Sequence, residues 1–307
     1  MRSKLYRLRT YALRIVIALA VILVLGVVGL VATYSEVGVT CKVGTDGLPM
    51  LAGNLSEVPQ SVVEDATGLA KELFGDSQDK RDDFVNQLLA TYLEAKDKDF
   101  VVIFNPGGWG WSLLEASPQW HSIFTGIESV FDSKGYTSVW LNYQRTADNL
   151  AGCLNEFATL ITDYSSEAQD LVSRVEFLTD NVPDLRVIIA GESNGTIIAD
   201  SVMSILEDNP QVYSIQTGPP FWHETTVLDR TLVLTDNGII PDSFNRGDFI
   251  AMFWGTIKAL FGISQPEDEA GNILYYVRAP GHDYQWRYPG VGSEITSFLE
   301  QNFAVKW

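Results

Sequence analysis

The sequence predicts an α/β fold: a mostly parallel sheet of about six strands with helices on both faces. Three observations predict it. From Phe100 onward, short β-branched or aromatic runs alternate with longer amphipathic ones. That alternation is the mark of βαβ crossovers, which cover a parallel sheet on both faces. Hydrophobic residues make up 46% of the 307-residue chain, enough for a sizeable core and too many for a disordered one. A glycine-flanked turn also lies between an apolar run and a helical one, at Gly191–Gly195.

The strand candidates are Phe100–Phe104, Ser138–Tyr143, Val187–Ala190, Val212–Ile215, Thr231–Thr235 and Ile273–Val277. Helical segments lie between them. Residues 112–132 form one, interrupted near Pro118. Glu167–Thr179 carries Leu171, Val175 and Leu178 on one face, and Thr196–Glu207 carries Ile198, Val202 and Ile205. Phe249–Phe261 is strongly apolar, and Ser293–Phe303 closes the chain. Upstream, residues 61–96 read as helical, with Phe84, Leu88, Leu89, Tyr92 and Leu93 at helical spacing. Residues 35–60 read as a linker, which makes 61–307 the folded domain.

The N-terminus is of a different kind. Ile15 to Thr33 is uncharged and almost wholly apolar. At about 1.5 Å per residue it spans roughly 30 Å of hydrocarbon. Arg2, Lys4, Arg7, Arg9 and Arg14 precede it, so the flank stays cytoplasmic and the rest of the chain lies outside. The run is longer than the apolar region of a cleaved signal peptide, and Val31-Ala32-Thr33 is a poor cleavage site. Residues 1–34 are therefore expected to be a basic tail and a single transmembrane anchor. They hold five of the 21 basic residues and none of the 39 acidic ones. The remainder carries a formal charge of −23, from 16 basic against 39 acidic residues. Such acidity argues against nucleic acid or anionic lipid headgroups as partners. Cys41 and Cys153 both fall on the outer side, where a disulfide is chemically allowed; the sequence does not fix whether they pair.

The turn Gly191-Glu192-Ser193-Asn194-Gly195 is G-x-S-x-G, and it follows a strand and precedes a helix. A serine in so tight a turn stands clear of the sheet's carboxyl edge, near a helix N-terminus that favours developing negative charge. A glycine-rich turn without chemistry is the plainer reading of a bare pentapeptide; the flanking strand and helix favour a nucleophile. Acyl transfer also needs two backbone N–H groups aimed at one oxygen. Asn194 supplies one by position, and Gly108 or Trp109, in the loop Asn105-Pro106-Gly107-Gly108-Trp109-Gly110, supplies the other.

Of three histidines, only His282 lies on a loop after the last strand candidate, where it can reach Ser193. His121 falls in a helix and His223 in an earlier loop. The acid should follow Thr231–Thr235, and three aspartates compete there. Asp242, in a loop beyond a glycine, is favoured. Asp236 at the strand end is the runner-up, and Asp248 reads as a helix N-cap. Trp111, Trp222 and Trp286 lie on loops expected near the site and are expected to line an acyl pocket. No dinucleotide or phosphate-loop pattern occurs, and neither cofactor nor metal is expected.

Together the elbow Gly191–Gly195, the loop Asn105–Gly110 and the order Ser193, Asp242, His282 resemble the α/β-hydrolase superfamily over roughly residues 85–305. That order differs from the two unrelated orders in which the serine comes last. No long insertion separates Val212–Ile215 from Thr231–Thr235, so the chain looks like small, lidless, cutinase-like esterases. The resemblance implies a Ser-His-Asp serine hydrolase cleaving a small-molecule or lipid carboxylic ester through an acyl-enzyme. A peptidase or acyltransferase on the same triad, or a non-catalytic binding domain of this fold, are the alternatives. The loop lacks the His-Gly opening common in lipases, and the acid loop lacks the usual glycine–two residues–aspartate spacing.

Overall fold

The computed structural model describes residues 42–44, 57–110, 112, 114–145, 156, 159–160, 164–226, 228–263, 271–273 and 277–305. The elements are β1 (Lys42–Gly44), α1 (Gln60–Phe74), α2 (Gln78–Ala95), β2 (Phe100–Asn105), α3 (Pro118–Ser133), β3 (Ser138–Gln144), α4 (Ser165–Asn181) and β4 (Arg186–Glu192). They continue with α5 (Gly195–Ile205), β5 (Val212–Thr217), β6 (Thr231–Leu234), α6 (Phe249–Leu260), β7 (Asn272–Ile273), β8 (Val277–Arg278) and α7 (Pro289–Asn302).

The sheet order is β1-β3-β2-β4-β5-β6. β2 to β6 are parallel, and β1 pairs antiparallel with β3. The chain steps from β2 outward to β3, then returns to the other side of β2 to lay down β4, β5 and β6. The winding therefore reverses between β2 and β4. At such a point the loops leaving two neighbouring strands diverge to opposite faces and open a crevice at the carboxyl edge. The loop after β2 and the turn at Ser193 are those two connections.

The alternation within β2 explains both faces. Val101 and Ile103 point into one cluster with Leu88, Leu171, Val175, Ile198 and Val202, from α2, α4 and α5. Phe100, Val102 and Phe104 point into the other, with Trp120, Ile127 and Phe131 of α3 and Ile295 and Leu299 of α7. β2 and the apolar part of β4 are buried throughout, as a central parallel strand must be. Pro118 and Pro289 open α3 and α7 at positions where no amide donor is needed.

Five strand candidates form the parallel sheet. The sixth does not join it. Asn272–Ile273 and Val277–Arg278 instead make a separate two-stranded ribbon, closed by Ala279 N–H donating to Gly271 O at 3.0 Å. The chain turns back on itself there, rather than running beside β6. The sixth strand of the sheet is β1, which lies inside the stretch read as linker and contains too few residues to show a period. The predicted helix over 61–96 is two helices, parted by Gly75 with φ of 53°. α6 follows β6 where a helix over Phe249–Phe261 was expected, and its residues Phe249 and Met252 line the cavity beside Ser193. The run Ile15–Thr33, Cys41 and Cys153 lie outside the described residues. No helix among the described residues is long and apolar enough to cross a membrane.

Two glycines test the packing. In α3, a Cβ at Gly126 would collide with the Trp286 ring, whereas in α1 a Cβ at Gly68 would meet nothing. Gly126→Ala should destabilise the domain by about 1–3 kcal/mol. Gly68→Ala should stabilise it by about 0.5–1 kcal/mol through helix propensity. Urea denaturation of the two variants checks both signs.

Candidate active site

Ser193 joins β4 to α5 with a φ of 50°, left-handed backbone that non-glycine residues seldom adopt. Its surroundings hold it there. Its N–H donates to Thr217 O at 2.9 Å, and its C=O accepts from the N–H of Thr196 at 3.0 Å and from the Thr196 hydroxyl at 2.6 Å. Neighbouring glycines are required by contact. A Cβ at Gly191 would lie 2.9 Å from Thr196 Cα, and one at Gly107 would lie 2.9 Å from Ser193 Cβ. At Gly195 it would strike the carbonyl of Asn105. Strand β2, the turn and α5 are thus packed backbone against backbone.

The structure brings His282 to Asp242. Nδ1 of His282 and Oδ2 of Asp242 are 2.8 Å apart, and Asp242 is completely buried. The carboxylate is fully engaged. Oδ1 accepts from the N–H groups of Phe244 and Asn245 at 2.8 and 3.1 Å, and Oδ2 also accepts from the Tyr284 hydroxyl at 2.8 Å. Burial alone would raise its pKa, but the bonds and charge from His282, Asn245 and Tyr284 outweigh it and hold the carboxyl below its ordinary value. The other two aspartates are elsewhere. Asp236 is tied to Gly238 N–H, and Asp248 caps α6 by accepting from Ala251 N–H at 3.0 Å. His223 sits 3.2 Å from Asp200, away from the cavity lining.

His282 and Ser193 line one cavity of about 630 Å³, together with Gly108, Trp109, Asn194 and Trp222. The N–H groups of Gly108 and Asn194 donate to no group among the described residues. Gly107 N–H is taken, at 3.3 Å, by Glu192 Oε2. Trp286 is a correction. Its indole lies over Gly126 of α3 and packs into the core with α3 and α7, because the chain after His282 turns away toward α7. Trp111 lies outside the described residues.

Several residues at the site had no signal in the sequence. Phe221, Phe244, Phe249 and Met252 line the cavity with Trp222. Tyr284 reaches Asp242. Arg145, buried just after β3, donates from Nη1 to Pro106 O at 2.7 Å and pairs with Glu156 at 2.6 Å. Tyr164 completes this cluster by donating to Glu156 at 2.8 Å. Glu192 is the second residue of the serine pentapeptide, and the sequence marked its position but not its role. Burial raises its pKa; the Gly107 N–H, His282 and Ser117 pull in the opposite direction and do not cancel it. Among the described residues no three metal-ligating side chains cluster.

No family model matches the chain, and no curated protein matches it. Among solved structures it is similar to a Trichoderma reesei cutinase in complex with a phosphonate inhibitor. The TM-score is 0.34 and the identity 12%, over 59% of this chain and 78% of that one. The sheet itself is mostly parallel with helices on both faces, the α/β architecture that the sequence predicts.

The raised Glu192 pKa has a measurable consequence. A folded-state pKa above the unfolded one means the folded protein holds the extra proton as pH climbs past the unfolded value. Stability is then lost with rising pH until the folded pKa is passed. Glu192→Gln, which keeps an acceptor for Gly107 N–H, should flatten this fall. Thermal unfolding of both proteins across pH 4–9 measures it. Parallel curves would show that Glu192 is not responsible.

Proposed function

We propose that the protein is a serine hydrolase of carboxylic esters, with Ser193 as nucleophile, His282 as base and Asp242 as acid. The observation that carries this reading is the buried 2.8 Å pair of His282 and Asp242, opening into the same cavity as a serine in left-handed backbone. In this mechanism the Ser193 oxygen attacks the acyl carbonyl while Nε2 of His282 takes its proton. Asp242 accepts from Nδ1–H, fixes the tautomer and stabilises the imidazolium. The N–H groups of Asn194 and Gly108, or Trp109, hold the oxyanion. His282 then returns the proton to the departing alcohol. Water, deprotonated by the same imidazole, releases the acid from the acyl-enzyme.

The cavity favours an ester with an apolar acyl group. Phe221, Trp222, Phe244, Phe249 and Met252 present carbon surface, and among the described residues no lysine or arginine lines it to select a charged acyl chain. The apolar run Ile15–Thr33, with its basic flank, supports a single-pass anchor that leaves the domain outside the cytoplasm.

A fluorophosphonate probe should label the wild type covalently and fail to label Ser193→Ala; absence of labelling in the wild type would sink the reading. In hydrolysis of a p-nitrophenyl ester, Asp242→Asn should lower kcat on the order of 10⁴-fold, since the amide favours the wrong imidazole tautomer. Asp236→Asn should stay within a few-fold of wild type. The reverse order would make Asp236 the acid.

A further inference from the structure

Helix α6 presents its apolar stripe to the outside. Phe249, Ile250, Phe253, Trp254, Leu260 and Phe261 are exposed by 57% to 75%. They recur at the 3.6-residue spacing of one helical face. The only buried residue of the helix is Gly255, set against Pro280. The stripe runs into the cavity, because Phe249 and Met252 form part of its wall beside Phe221 and Trp222, themselves exposed by 42% and 48%. Scattered apolar residues are ordinary on a surface; a contiguous aromatic stripe at a cavity mouth is not.

Charge and chain direction identify what it meets. From Phe249 to Ile263 there is no acidic residue and one basic one, Lys258, in a chain with a net charge of −18. This face can therefore enter an apolar phase without desolvating a carboxylate. The register of β1 adds a direction. Lys42 pairs with Gln144 and Gly44 with Asn142, so β1 begins at the carboxyl edge of the sheet. That is the edge on which Ser193, the cavity and α6 stand. Residues 34–41 can reach at most about 30 Å. Whatever holds Ile15–Thr33 therefore lies within that reach of Lys42, which stands at that same edge.

We propose that the exposed face of α6, with Phe221 and Trp222, docks the domain onto the lipid bilayer that holds Ile15–Thr33, with the mouth of the cavity turned toward the acyl layer. The proposal rests on the anchor reading given above and does not require catalysis. Aromatic side chains are at home at the headgroup boundary, and a helix lying in the interface plane buries one apolar face there. A second copy of the chain seated on this face would instead cover the mouth.

The test uses the full chain reconstituted in phosphatidylcholine vesicles and in vesicles of the dibrominated lipid. No tryptophan precedes Trp109, so quenching of tryptophan emission by bromine reports on the domain and not on the anchor. The wild type and Ser193→Ala should float with the vesicles and be quenched alike. The double variant Ile250→Glu, Phe253→Glu alters two exposed positions and should keep its circular dichroism and Tm. It should still float and lose most of the quenching. A chain that floats unquenched, or a double variant quenched as the wild type is, overturns the docking; either result also covers a face occupied by a second copy or by the N-terminal segment. A chain that does not float overturns the anchor reading and the docking with it. Fluorophosphonate labelling of Ser193 would stand in both cases.

Discussion

The backbone at Ser193 is the constraint on which the rest of the site depends. A residue with a φ of 50° between a strand and a helix costs roughly 1–3 kcal/mol unless its surroundings over-determine it. Here the surroundings are backbone. Thr217 O and Thr196 N–H tie the turn from both sides, and Gly191, Gly195 and Gly107 bring α5 and the loop after β2 to distances no side chain would allow. The same tightness gives the turn its position. It falls where the winding of the sheet reverses, so the loop after β2 is its immediate neighbour, and the two can face one ligand atom.

That loop needs a support of its own. Its three glycines contribute no side chains to packing, and Arg145, paired with Glu156, ties the loop down through Pro106 O. A buried ion pair adds little net stability, because desolvation offsets attraction. Its strength is geometric: the guanidinium reaches Pro106 O while two of its nitrogens face Glu156, and Tyr164 fills a further acceptor position. Removing either partner would leave a charge with no counterpart in the core. The pair therefore reads as a device for fixing the height of the loop above the sheet.

The legible parts of the chain were those written in local pattern. The five parallel strands, α4, α5 and the turn between β4 and α5 follow from period, burial and glycine placement within a dozen residues each. Ser193 and Asn194 belong to that class. His282 was legible by elimination, since only three histidines exist and two sit on other elements. The partners that hold these groups come from distant loops. Tyr284 and Asp242 are 42 residues apart, and Arg145 and Pro106 are 39 apart, so no window contains both members. Trp286 shows the converse. An aromatic residue four positions from His282 was read as pocket lining, and the chain turns it onto α3 instead. For α6 the apolar composition was legible and its orientation was not: only the structure shows which side its stripe faces.

Glu192 and Asp242 show how the fold separates two carboxyl groups around one imidazole. Both feel His282, and burial pushes both upward. Asp242 receives two backbone N–H donors, a tyrosine hydroxyl and the imidazole itself, all of which favour the anion. Glu192 receives one backbone N–H and a serine, too little to offset its burial. One carboxyl is held down and the other is pushed up, and this is the arrangement by which neighbouring acids acquire different roles. In the proposed mechanism Asp242 faces the imidazolium that forms during attack, and its hydrogen bonds favour the anion. Asp242 holds Nδ1 of His282, on the far side of the ring from the nitrogen assigned to Ser193, while Glu192 accepts from Gly107 N–H.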